Sequence, residues 1–493
     1  MARIGTLIVS GLIITGLTIP VAQAAAPPVF NVKSYGATGN GSTNDDDAID
    51  RAINAANAAG GGVVDFPAGR YRSRTIHMKS NVTLNLNAGA TLLAASSGMD
   101  RAEPNEWDEY QDYGHSHFRN ALIFGENVEN IAFTGAGTID GDNNLITGDP
   151  DQGQADKALS LKYCRNLRFQ DITFRQGGHF AILINGCDGV QMHNTKILSA
   201  DDRDAFNIIN TSNVEIANSR IEASDDAVVF KSDYALGRTF PTENAIVRDS
   251  TVLSTENNAL QFGSETCGNF RNIQFKNLNV TGAGKAGIGM VSMDGATIEN
   301  ITYDNIKLSK TASAIFMHIG KRSRCPGNPP AGKIRNITLK NITGTNLTTP
   351  RDVAGDDEYS ATITGRTDSP IENVTLENVS LNFPGGHPAS DANRVPPENS
   401  TAYPPRTFGV RPAYAFWVRH AKGIKFLNST VEFQKSDGRP AFLANDTTGV
   451  VIDGVTMERS TGSWDVTFQK SSGQQVVNLS LIHCIRDRRL GAL

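Results

Sequence analysis

The sequence has few aromatic residues, few cysteines and little net charge. Aromatic side chains make up 7 % of the 493 residues, and the net charge is −5. This mild charge, with no basic face, excludes tracking of nucleic acid or another polyanion by bulk charge. The low aromatic content, the 47 glycines and the asparagines that recur at fixed places are typical of short strands and many turns. The length fits two or three ordinary domains, or one solenoid, which grows without a domain limit.

A long hydrophobic run is also missing beyond the start of the chain. The run at residues 7–17 follows Arg3 and precedes the small-residue sequence Ala22-Gln-Ala24. This order is typical of a secretory signal peptide, and the run is short for a membrane span. We therefore predict a signal peptide at 1–24, a single catalytic domain at 25–493, and a protein that is secreted to the extracellular or periplasmic space without a membrane anchor.

A short pattern recurs from about residue 79 onwards, in which Asn or Gly precedes an alternation of apolar and polar residues. Alternation marks a half-buried strand, and Asn or Gly suits a turn with positive φ. Copies include those at Asn127, Arg165, Asp188, Ser212, Arg271, Glu299, Arg335, Glu372, Lys422 and Thr448, with intervals of 23, 24, 28 or more positions. Strands at this spacing, without helical patterns between them, predict an all-β fold: a right-handed parallel β-helix (solenoid) of roughly ten to twelve coils.

The segment before these repeats predicts a helix that caps the N-terminal end of the solenoid. Ser42 or Thr43 is the expected N-cap, and the Asp run that follows suits the positive end of the helix dipole. The apolar positions of one helix face are Ala48, Ile49, Ala52, Ile53 and Ala56. A cap at about 42–60 would cover the apolar interior of the first coil.

Five cysteines in an exported chain leave at least one without a disulfide partner. Cys164 and Cys187 lie 23 positions apart, which is one coil of the predicted solenoid. They are therefore predicted to face each other, either as a disulfide or as a pair of buried thiols.

Three acidic residues are brought together by the same periodicity. Asp204-Ala-Phe-Asn-Ile and Asp226-Ala-Val-Val-Phe begin 22 positions apart, so Asp204 is predicted to lie directly below Asp226, with Asp225 beside it. Two charges about 5 Å apart repel by roughly 3 kcal/mol at an effective dielectric near 20, so at least one carboxyl is predicted to stay protonated near neutral pH. An acid beside a base is what glycoside hydrolysis requires, whereas an Asp pair alone is ordinary turn sequence.

Several motifs resemble known families. Three segments near the start of this chain resemble the opening of the pectin-lyase-like β-helix proteins: Tyr35-Gly-Ala37, Asp46-Asp47-Ala48-Ile49 and Gly60-Gly-Gly62. Two later segments resemble motifs of the polygalacturonases, which are family 28 glycoside hydrolases: Asp225-Asp226-Ala-Val-Val-Phe-Lys231-Ser and Gly263-Ser-Glu265. This resemblance implies that Asp225 is the general acid and that Asp204 and Asp226 hold the attacking water. It also implies inversion at the anomeric carbon, without a cofactor or a metal ion.

Two features depart from the polygalacturonase pattern. The Gly-His-Gly motif of that family falls on Glu256-Asn257-Asn258, so Asn257 replaces its histidine. The Arg-x-Lys motif that binds the galacturonate carboxylate falls on Gly289-Met290-Val291, which removes both cations. A charge-assisted hydrogen bond contributes roughly 1.5–3 kcal/mol, so plain polygalacturonan would lose much of its affinity or rate here. A branched pectic region, a uronic acid held by another cation and a neutral glycan are the open alternatives.

Other residues are candidates for binding the substrate. Lys231, Arg203 and the basic loop at 321–324 are the cations available to replace the lost pair, although solvated surface charge is the alternative for the loop. The register places His179 below Arg203 and Phe180 below Asp204, with packing as the alternative for Phe180. The candidate substrate-binding residues are therefore Asn257, Asn258, Lys231, Arg203, His179 and Phe180.

Insertions between the repeats predict loops that wall a cleft. The main ones are residues 99–120, 321–332 and 384–412. Tyr403 and Trp417, in and after the largest insertion, belong either to the cleft wall or to a packed aromatic cluster.

Two further functional classes stay open beside a monomeric glycoside hydrolase that acts on pectin or a related polysaccharide. A polysaccharide lyase on the same fold would use Ca²⁺ and a basic residue, and the stacked Asp residues offer ligands for Ca²⁺. A carbohydrate-binding or adhesin solenoid without catalysis is favoured by the histidine lost at Asn257. The three retained Asp residues argue against it.

Overall fold

The computed structural model describes residues 26–350, 360–479 and 485–488. The predicted signal peptide at 1–24 lies outside these residues. Strands dominate the described chain, which confirms an all-β fold. The helices are Asp46–Ala58 and Tyr113–Ser116, with 3-10 helices at Val32–Tyr35, Asp108–Tyr110, Ala389–Asn393 and Pro405–Phe408. Among the described residues, no helix has the length and apolar character needed to cross a membrane.

The strands form three ladders of parallel pairs, in which each strand pairs with its counterpart one coil further along the chain. The longest strands bend from one ladder into another and are named in both. The first ladder, called the site ladder below, consists of Ile76–His77, Ala121–Glu126, Lys157–Lys162, Phe180–Asn185, Asp204–Ile209, Val228–Ser232, Leu260–Thr266, Phe270–Ser292, Thr311–Ile319, Ala361–Thr364, Phe416–Leu427, Phe442–Thr448, Val466–Gln469 and Ile485–Arg488.

The other two ladders complete each coil. The second consists of Val29–Asn31, Gly62–Phe66, Val82–Leu86, Glu129–Thr134, Arg165–Gln170, Asp188–His193, Ser212–Ala217, Thr242–Arg248, Phe270–Ser292, Thr297–Ser309, Lys333–Thr345, Ile371–Gly385, Phe416–Leu427, Val451–Asp453 and Gln475–Val477. The third consists of Asn40–Asn44, Gly69–Ser73, Ala90–Ala94, Thr138–Asp140, Thr173–Arg175, Lys196–Ser199, Arg220–Ala223, Thr251–Ser254, Phe270–Ser292, Thr297–Ser309, Lys333–Thr345, Ile371–Gly385, Thr430–Lys435 and Thr456–Met457.

The recurrent asparagines stand at corresponding bends of successive coils. Asn272, Asn300 and Asn336 all have φ near +56°, a backbone conformation that Asn tolerates better than most residues. Their side-chain amides donate to the next asparagine in the stack, at 3.3 Å from Asn300 to Asn272 and at 3.3 Å from Asn336 to Asn300. This ladder explains why the repeats carry Asn without any functional role.

The interior of the solenoid is a stack of apolar side chains from successive coils. The rings of Phe275 and Tyr303, for example, lie parallel with centroids 4.6 Å apart, and both are buried. Each coil thus covers the apolar face of its neighbour, which is the main source of stability in a solenoid.

The helix Asp46–Ala58 covers the first coil as predicted, because its buried face contains all five predicted apolar positions. The prediction that Ser42 or Thr43 caps this helix is wrong. Both residues belong to the strand Asn40–Asn44, and the N-cap position is Asp45. The Asp45 carboxylate turns away from the helix and accepts hydrogen bonds from the backbone N–H groups of Thr38 and Gly39.

The four cysteines within the described residues divide into a bonded and a free pair. Cys164 and Cys187 face each other as predicted, as buried free thiols. Cys267 and Cys325 form a disulfide that ties the loop after Thr311–Ile319 to the end of Leu260–Thr266. The coil period gives no signal for this pair, because the two cysteines are 58 positions apart and one of them lies in an insertion.

Candidate active site

The site ladder brings the three predicted carboxyls together. Phe206 pairs with Val228, so a shift of 22 positions is one coil and Asp204 lies below Asp226. The backbone N–H of Ala205 donates to the carbonyl oxygen of Asp226 at 3.0 Å, which fixes this register. Carboxylate oxygens of Asp204, Asp225 and Asp226 all lie within 4.8 Å of one another. The predicted stacking is therefore confirmed.

Asp204 is a buried carboxylate that is held from three sides. It accepts hydrogen bonds from Lys231 Nζ at 3.1 Å, from Asn207 Nδ2 at 3.0 Å and from the backbone N–H of Asp226 at 3.3 Å. Burial raises its pKa, against the opposing attraction of the Lys231 ammonium. The hydrogen bonds leave the carboxyl little rotational freedom.

Asp226 is the member of the cluster that keeps its proton. Burial raises its pKa to about 8, and the neighbouring charges of Asp225 and Asp204 add to the effect. Its Oδ1 accepts a hydrogen bond from Asn258 Nδ2 at 3.1 Å. The raised pKa agrees with the prediction that at least one carboxyl stays protonated near neutral pH.

Asp225 is the most exposed of the three carboxyls, with 23 % of its side chain accessible. Its Oδ2 lies 2.9 Å from Arg203 Nη2 and 3.3 Å from Arg203 Nε, and Asn257 Nδ2 donates to its Oδ1. Burial by itself would raise its pKa, but the positive charges of Arg203 and Lys285 outweigh burial and hold the pKa below its usual value. Arg203 thus favours the ionised form of Asp225 in this state, and the role of Asp225 as the general acid, which requires a proton, stays a prediction.

His179 holds Arg203 in place. Its Nε2 accepts a hydrogen bond from Arg203 Nη1 at 2.8 Å, so the ring must be neutral. Burial and the adjacent guanidinium lower the pKa of His179 to about 3, in agreement with that role. His179 thus orients the arginine that contacts Asp225, and 5 % of its surface is accessible.

Lys231 is a buried counter-ion rather than a group that faces a substrate. Its side chain is 5 % exposed, its ammonium pairs with Asp204, and Glu265 Oε2 lies 3.8 Å away. The ammonium also donates to His115 Nε2 at 3.0 Å, a neutral ring whose pKa is lowered by burial and by Lys231. These contacts favour a counter-ion role for Lys231, and substrate binding by this residue stays a prediction.

The remaining substrate-binding candidates also face inwards. Phe180 is 1 % exposed and packs its ring 5.0 Å from His115 and 4.4 Å from His179, so the packing alternative is right. Asn257 and Asn258 are buried as well and donate to Asp225 and Asp226. Of the six candidates, Arg203 keeps the largest accessible side chain, at 42 %.

Further charged residues surround the cluster of three Asp carboxyls. Glu265 is buried, and its pKa lies well below the usual value because the positive charges of Lys231 and Arg322 outweigh the effect of burial. Arg322 Nη2 pairs with Asp294 Oδ2 at 2.7 Å and lies 3.5 Å from Glu265 Oε1. Arg324 of the same basic loop also pairs, with Asp112 at 3.1 Å, and this second pair is exposed to solvent.

Two residues from later coils also reach the cluster. Lys285 donates its backbone N–H to the carbonyl oxygen of Asn257 at 2.8 Å, and its ammonium lies 5.9 Å from the ring centre of Tyr403. The pKa of Tyr403 is raised to about 12 by burial and by the charges of Glu265 and Asp225. Trp417, by contrast, is 1 % exposed and belongs to a packed cluster with Phe408.

The carboxyls of Asp204, Asp225 and Asp226 are better suited to sharing a proton than to binding Ca²⁺. Ca²⁺ takes six to eight oxygen ligands at about 2.3–2.6 Å. Here the Lys231 ammonium and the Arg203 guanidinium already engage Asp204 and Asp225, and Asp226 is protonated at neutral pH. These residues therefore do not form a Ca²⁺ site of the kind that the lyase alternative needs.

A protonated carboxyl beside an ionised one, on one face of a parallel solenoid, is the arrangement that glycoside hydrolysis requires. The sequence profile of the Glycosyl hydrolases family 28 matches residues 64–401. The chain therefore belongs to family 28 and is a glycoside hydrolase.

Named relatives agree with this family. The exo-poly-alpha-D-galacturonosidase of Dickeya chrysanthemi is 24 % identical over 401 residues, which are 67 % of this chain and 65 % of that protein. The chain thus spans slightly less than two thirds of that relative. A polygalacturonase of Juniperus ashei is 24 % identical over 394 residues, which are 74 % of this chain and 70 % of the relative.

Solved structures share the fold. The family 28 exopolygalacturonase of Yersinia enterocolitica superposes with a TM-score of 0.66 at 18 % identity, covering 92 % of this chain and 78 % of that one. An exopolygalacturonase of Thermotoga maritima gives a TM-score of 0.52 at 18 % identity, covering 73 % and 89 %. At these identities the likeness establishes the parallel β-helix fold alone.

Proposed function

We propose that this enzyme hydrolyses glycosidic bonds of pectin or a related polysaccharide through the cluster Asp204, Asp225 and Asp226. The observation that carries the proposal is the group of three carboxyls within 4.8 Å of one another on the site ladder, of which Asp226 has a raised pKa and Asp225 a lowered one. Names of relatives, which include polygalacturonases, support a pectic substrate.

The proposed roles follow from exposure and hydrogen bonding. Asp225 has the most accessible carboxyl and is the group that delivers a proton to the leaving oxygen. Asp226 stores that proton while no substrate is bound, and becomes a carboxylate when the proton passes to Asp225. Asp204 and ionised Asp226 then hold the attacking water.

We propose inversion at the anomeric carbon, since two carboxylates share the water on one side of the bond. The separation of the carboxyls does not by itself carry this proposal. Their oxygens lie within 4.8 Å of one another, closer than the about 6.5–9.5 Å usual for an inverting pair. Proton NMR of the first product formed distinguishes the two anomers, and a retained configuration would assign Asp204 or Asp226 as a nucleophile instead.

The test is a panel of purified glycans. Reducing-end release is measured on polygalacturonan, on its methyl ester and on neutral plant glycans, with Asp225→Asn as the inactive control. Release from a pectic substrate that Asp225→Asn abolishes supports the proposal. Undiminished release by that variant, or release from neutral glycans alone, contradicts it.

We further infer that the enzyme is exported after removal of residues 1–24, and that 25–493 form one monomeric β-helix domain. The winding is taken as right-handed through roughly ten to twelve coils, because about 98 % of parallel crossover connections have that hand.

A further inference from the structure

A hollow of about 330 Å³, called the C-terminal hollow below, lies towards the far end of the site ladder. Its lining includes Ser390, Asn393, Ser463, Trp464, Thr467 and Gln469. Seven successive strand pairings connect Val229, in the strand that follows Asp226, to Thr467. At about 4.8 Å for each pairing, the hollow lies roughly 34 Å along the solenoid from the carboxyl cluster. It is therefore separate from the candidate active site.

The floor of the C-terminal hollow is polar. Alternate residues of the strand Val466–Gln469 point into the apolar core, so Thr467 and Gln469 line the hollow on the outer face. Gln469 Oε1 accepts a hydrogen bond from Asn445 Nδ2 at 2.9 Å, which orients the amide of Gln469. Among the described residues, Gln469 Nε2 has no hydrogen-bond acceptor, so this nitrogen is available as a donor to a ligand.

The walls of the C-terminal hollow are fixed by hydrogen bonds. One wall is the 3-10 helix Ala389–Asn393, and the backbone N–H of Gly438 donates to the carbonyl oxygen of His387, just before this helix, at 2.7 Å. The other wall is the turn before the last floor strand, in which Asp465 Oδ1 accepts a hydrogen bond from the backbone N–H of Ser460 at 2.9 Å. The hollow is thus formed before a ligand binds, as is usual for small-molecule sites.

Trp464 supplies an aromatic surface to this polar hollow. Its residue surface is 38 % accessible, whereas Trp417 is 1 % exposed. The face of an indole ring is apolar and electron-rich, which suits the C–H face of a sugar ring, and amide groups suit the hydroxyls of the same sugar. Asn393 adds a second, exposed amide beside that of Gln469.

The charge of the lining distinguishes between classes of sugar. None of the described residues that line the C-terminal hollow is charged. A uronate would give up hydration of its carboxylate there without gaining an ionic partner, whereas the hydroxyls of a neutral sugar exchange water for amide and hydroxyl groups. The surface therefore favours a neutral sugar.

We propose that the C-terminal hollow is an accessory binding site for a neutral sugar unit, which stacks on Trp464 and accepts a hydrogen bond from Gln469. At roughly 34 Å from the carboxyls, a sugar held here takes no part in bond cleavage. The site would keep the protein on a polysaccharide that carries neutral units. The inference goes beyond the proposed hydrolysis and does not depend on it, because it concerns binding alone.

Calorimetric titration tests the site in the Asp225→Asn protein, which avoids turnover of the probes. The probes are galactotriose, arabinotriose and, as the charged comparison, trigalacturonate. At least one neutral trisaccharide is expected to bind, and Trp464→Ala is expected to weaken that binding about tenfold or more, whereas Trp464→Tyr, which keeps a ring, changes it less than about threefold.

The two glutamines of the last coils provide a matched pair of variants. Gln469→Ala is expected to weaken binding by about threefold to tenfold, whereas Gln475→Ala, at an exposed position on the second ladder, leaves it unchanged. The proposal is overturned if neither neutral trisaccharide binds, if Trp464→Ala binds equally well, or if trigalacturonate binds more tightly in a way that requires Trp464.

Oxidation by N-bromosuccinimide gives a second readout that needs no variant in the hollow. Mass spectrometry of peptides reports the oxidation of each tryptophan, with half-buried Trp107 as the internal reference. The neutral trisaccharide that binds should slow the oxidation of Trp464 relative to that of Trp107. An unchanged ratio at saturating trisaccharide would place the sugar elsewhere and overturn the proposal. Absence of hydrolysis on every glycan would contradict the proposed function alone, since both readouts report binding.

Discussion

Arg203 Nη2 lies 2.9 Å from Asp225 Oδ2, and this contact decides where the proton of the cluster rests. The guanidinium keeps Asp225 ionised, whereas Asp226, one residue later, has its pKa raised to about 8 by burial and by its neighbours. Two adjacent aspartates of the same turn therefore differ in charge at neutral pH. Their environments separate the two roles, as in other pairs of catalytic carboxyls.

The roles of Asp225 and Asp204 can be separated by the leaving group of the substrate. Asp225→Asn is expected to lower hydrolysis of a pectic polymer by about two to four orders of magnitude, because general acid catalysis contributes that much. A nitrophenyl glycoside leaves without protonation, so the same variant should lose far less activity on it. Asp204→Asn should lose activity on both substrates, since it removes a ligand of the attacking water. The measurement is kcat/KM on the two substrates.

The opposite pattern would reassign the acid. In that pattern, Asp226→Asn keeps its activity on the nitrophenyl glycoside and Asp225→Asn does not. Asp226 would then donate its proton directly to the leaving oxygen, without a transfer to Asp225. Asp188→Asn, an exposed aspartate on the second ladder, serves as the matched control for the chemical change.

The raised pKa of Asp226 predicts a pH-dependent stability. Between pH 3.8 and about 8 the folded protein retains a proton at Asp226 that the unfolded chain has released. Stability therefore falls as pH rises through this window, by up to about 1.4 kcal/mol for each pH unit. Asp226→Asn lacks this titration and keeps a neutral side chain of the same shape. Its free energy of unfolding should exceed that of the unmodified protein by a margin that grows from pH 4.5 to pH 7.5.

Urea unfolding at three pH values measures that margin, with Asp188→Asn as the control at an exposed site. A margin independent of pH would show that Asp226 is ionised in the folded protein. It would also contradict the placement of the shared proton.

Periodic features could be predicted from the sequence because each coil rests on the preceding one. The 22-position offset that aligns Asp204 with Asp226 follows from strand spacing alone, and so does the contact of His179 with Arg203. The N-terminal helix was likewise readable from its apolar face. The N-cap residue of this helix could not be predicted, because the Asp45 carboxylate accepts hydrogen bonds from Thr38 and Gly39 instead of capping the helix.

The contacts that residues of the insertions make at the site could not be predicted from the sequence. His115 meets Lys231 from 116 positions away, and nothing periodic links the two. Tyr403 comes from the largest loop. The place of Lys285 could not be predicted because the coil length changes here: its offset from Asn257 is 28 positions, whereas Asp226 follows Asp204 by 22.

Chelation separates hydrolysis from Ca²⁺-dependent elimination. Because Lys231 and Arg203 already neutralise two of the three carboxylates, activity should be unchanged after exhaustive dialysis against EDTA. The products should be reducing sugars without the ultraviolet absorbance of an unsaturated uronate. Loss of activity with EDTA and its return with Ca²⁺, together with absorbing products, would support the lyase alternative instead.

Lys231 is predicted to be essential for stability as well as for the site. Lys231→Met would leave Asp204 and Glu265 buried without their shared counter-ion, and removing one partner from a buried ion pair costs about 3–5 kcal/mol. Lys422→Met removes an exposed lysine that pairs with Glu372 at 3.7 Å, and such pairs contribute less than about 1 kcal/mol. Urea unfolding at pH 7 should therefore show a large loss for the first variant and little change for the second. The loss for Lys231→Met should shrink as pH falls, because protonation removes the buried charges that the lysine compensates. A small, pH-independent loss at Lys231 would mean that Asp204 and Glu265 are neutral in the folded enzyme, and Asp204 would then be unable to act as the base.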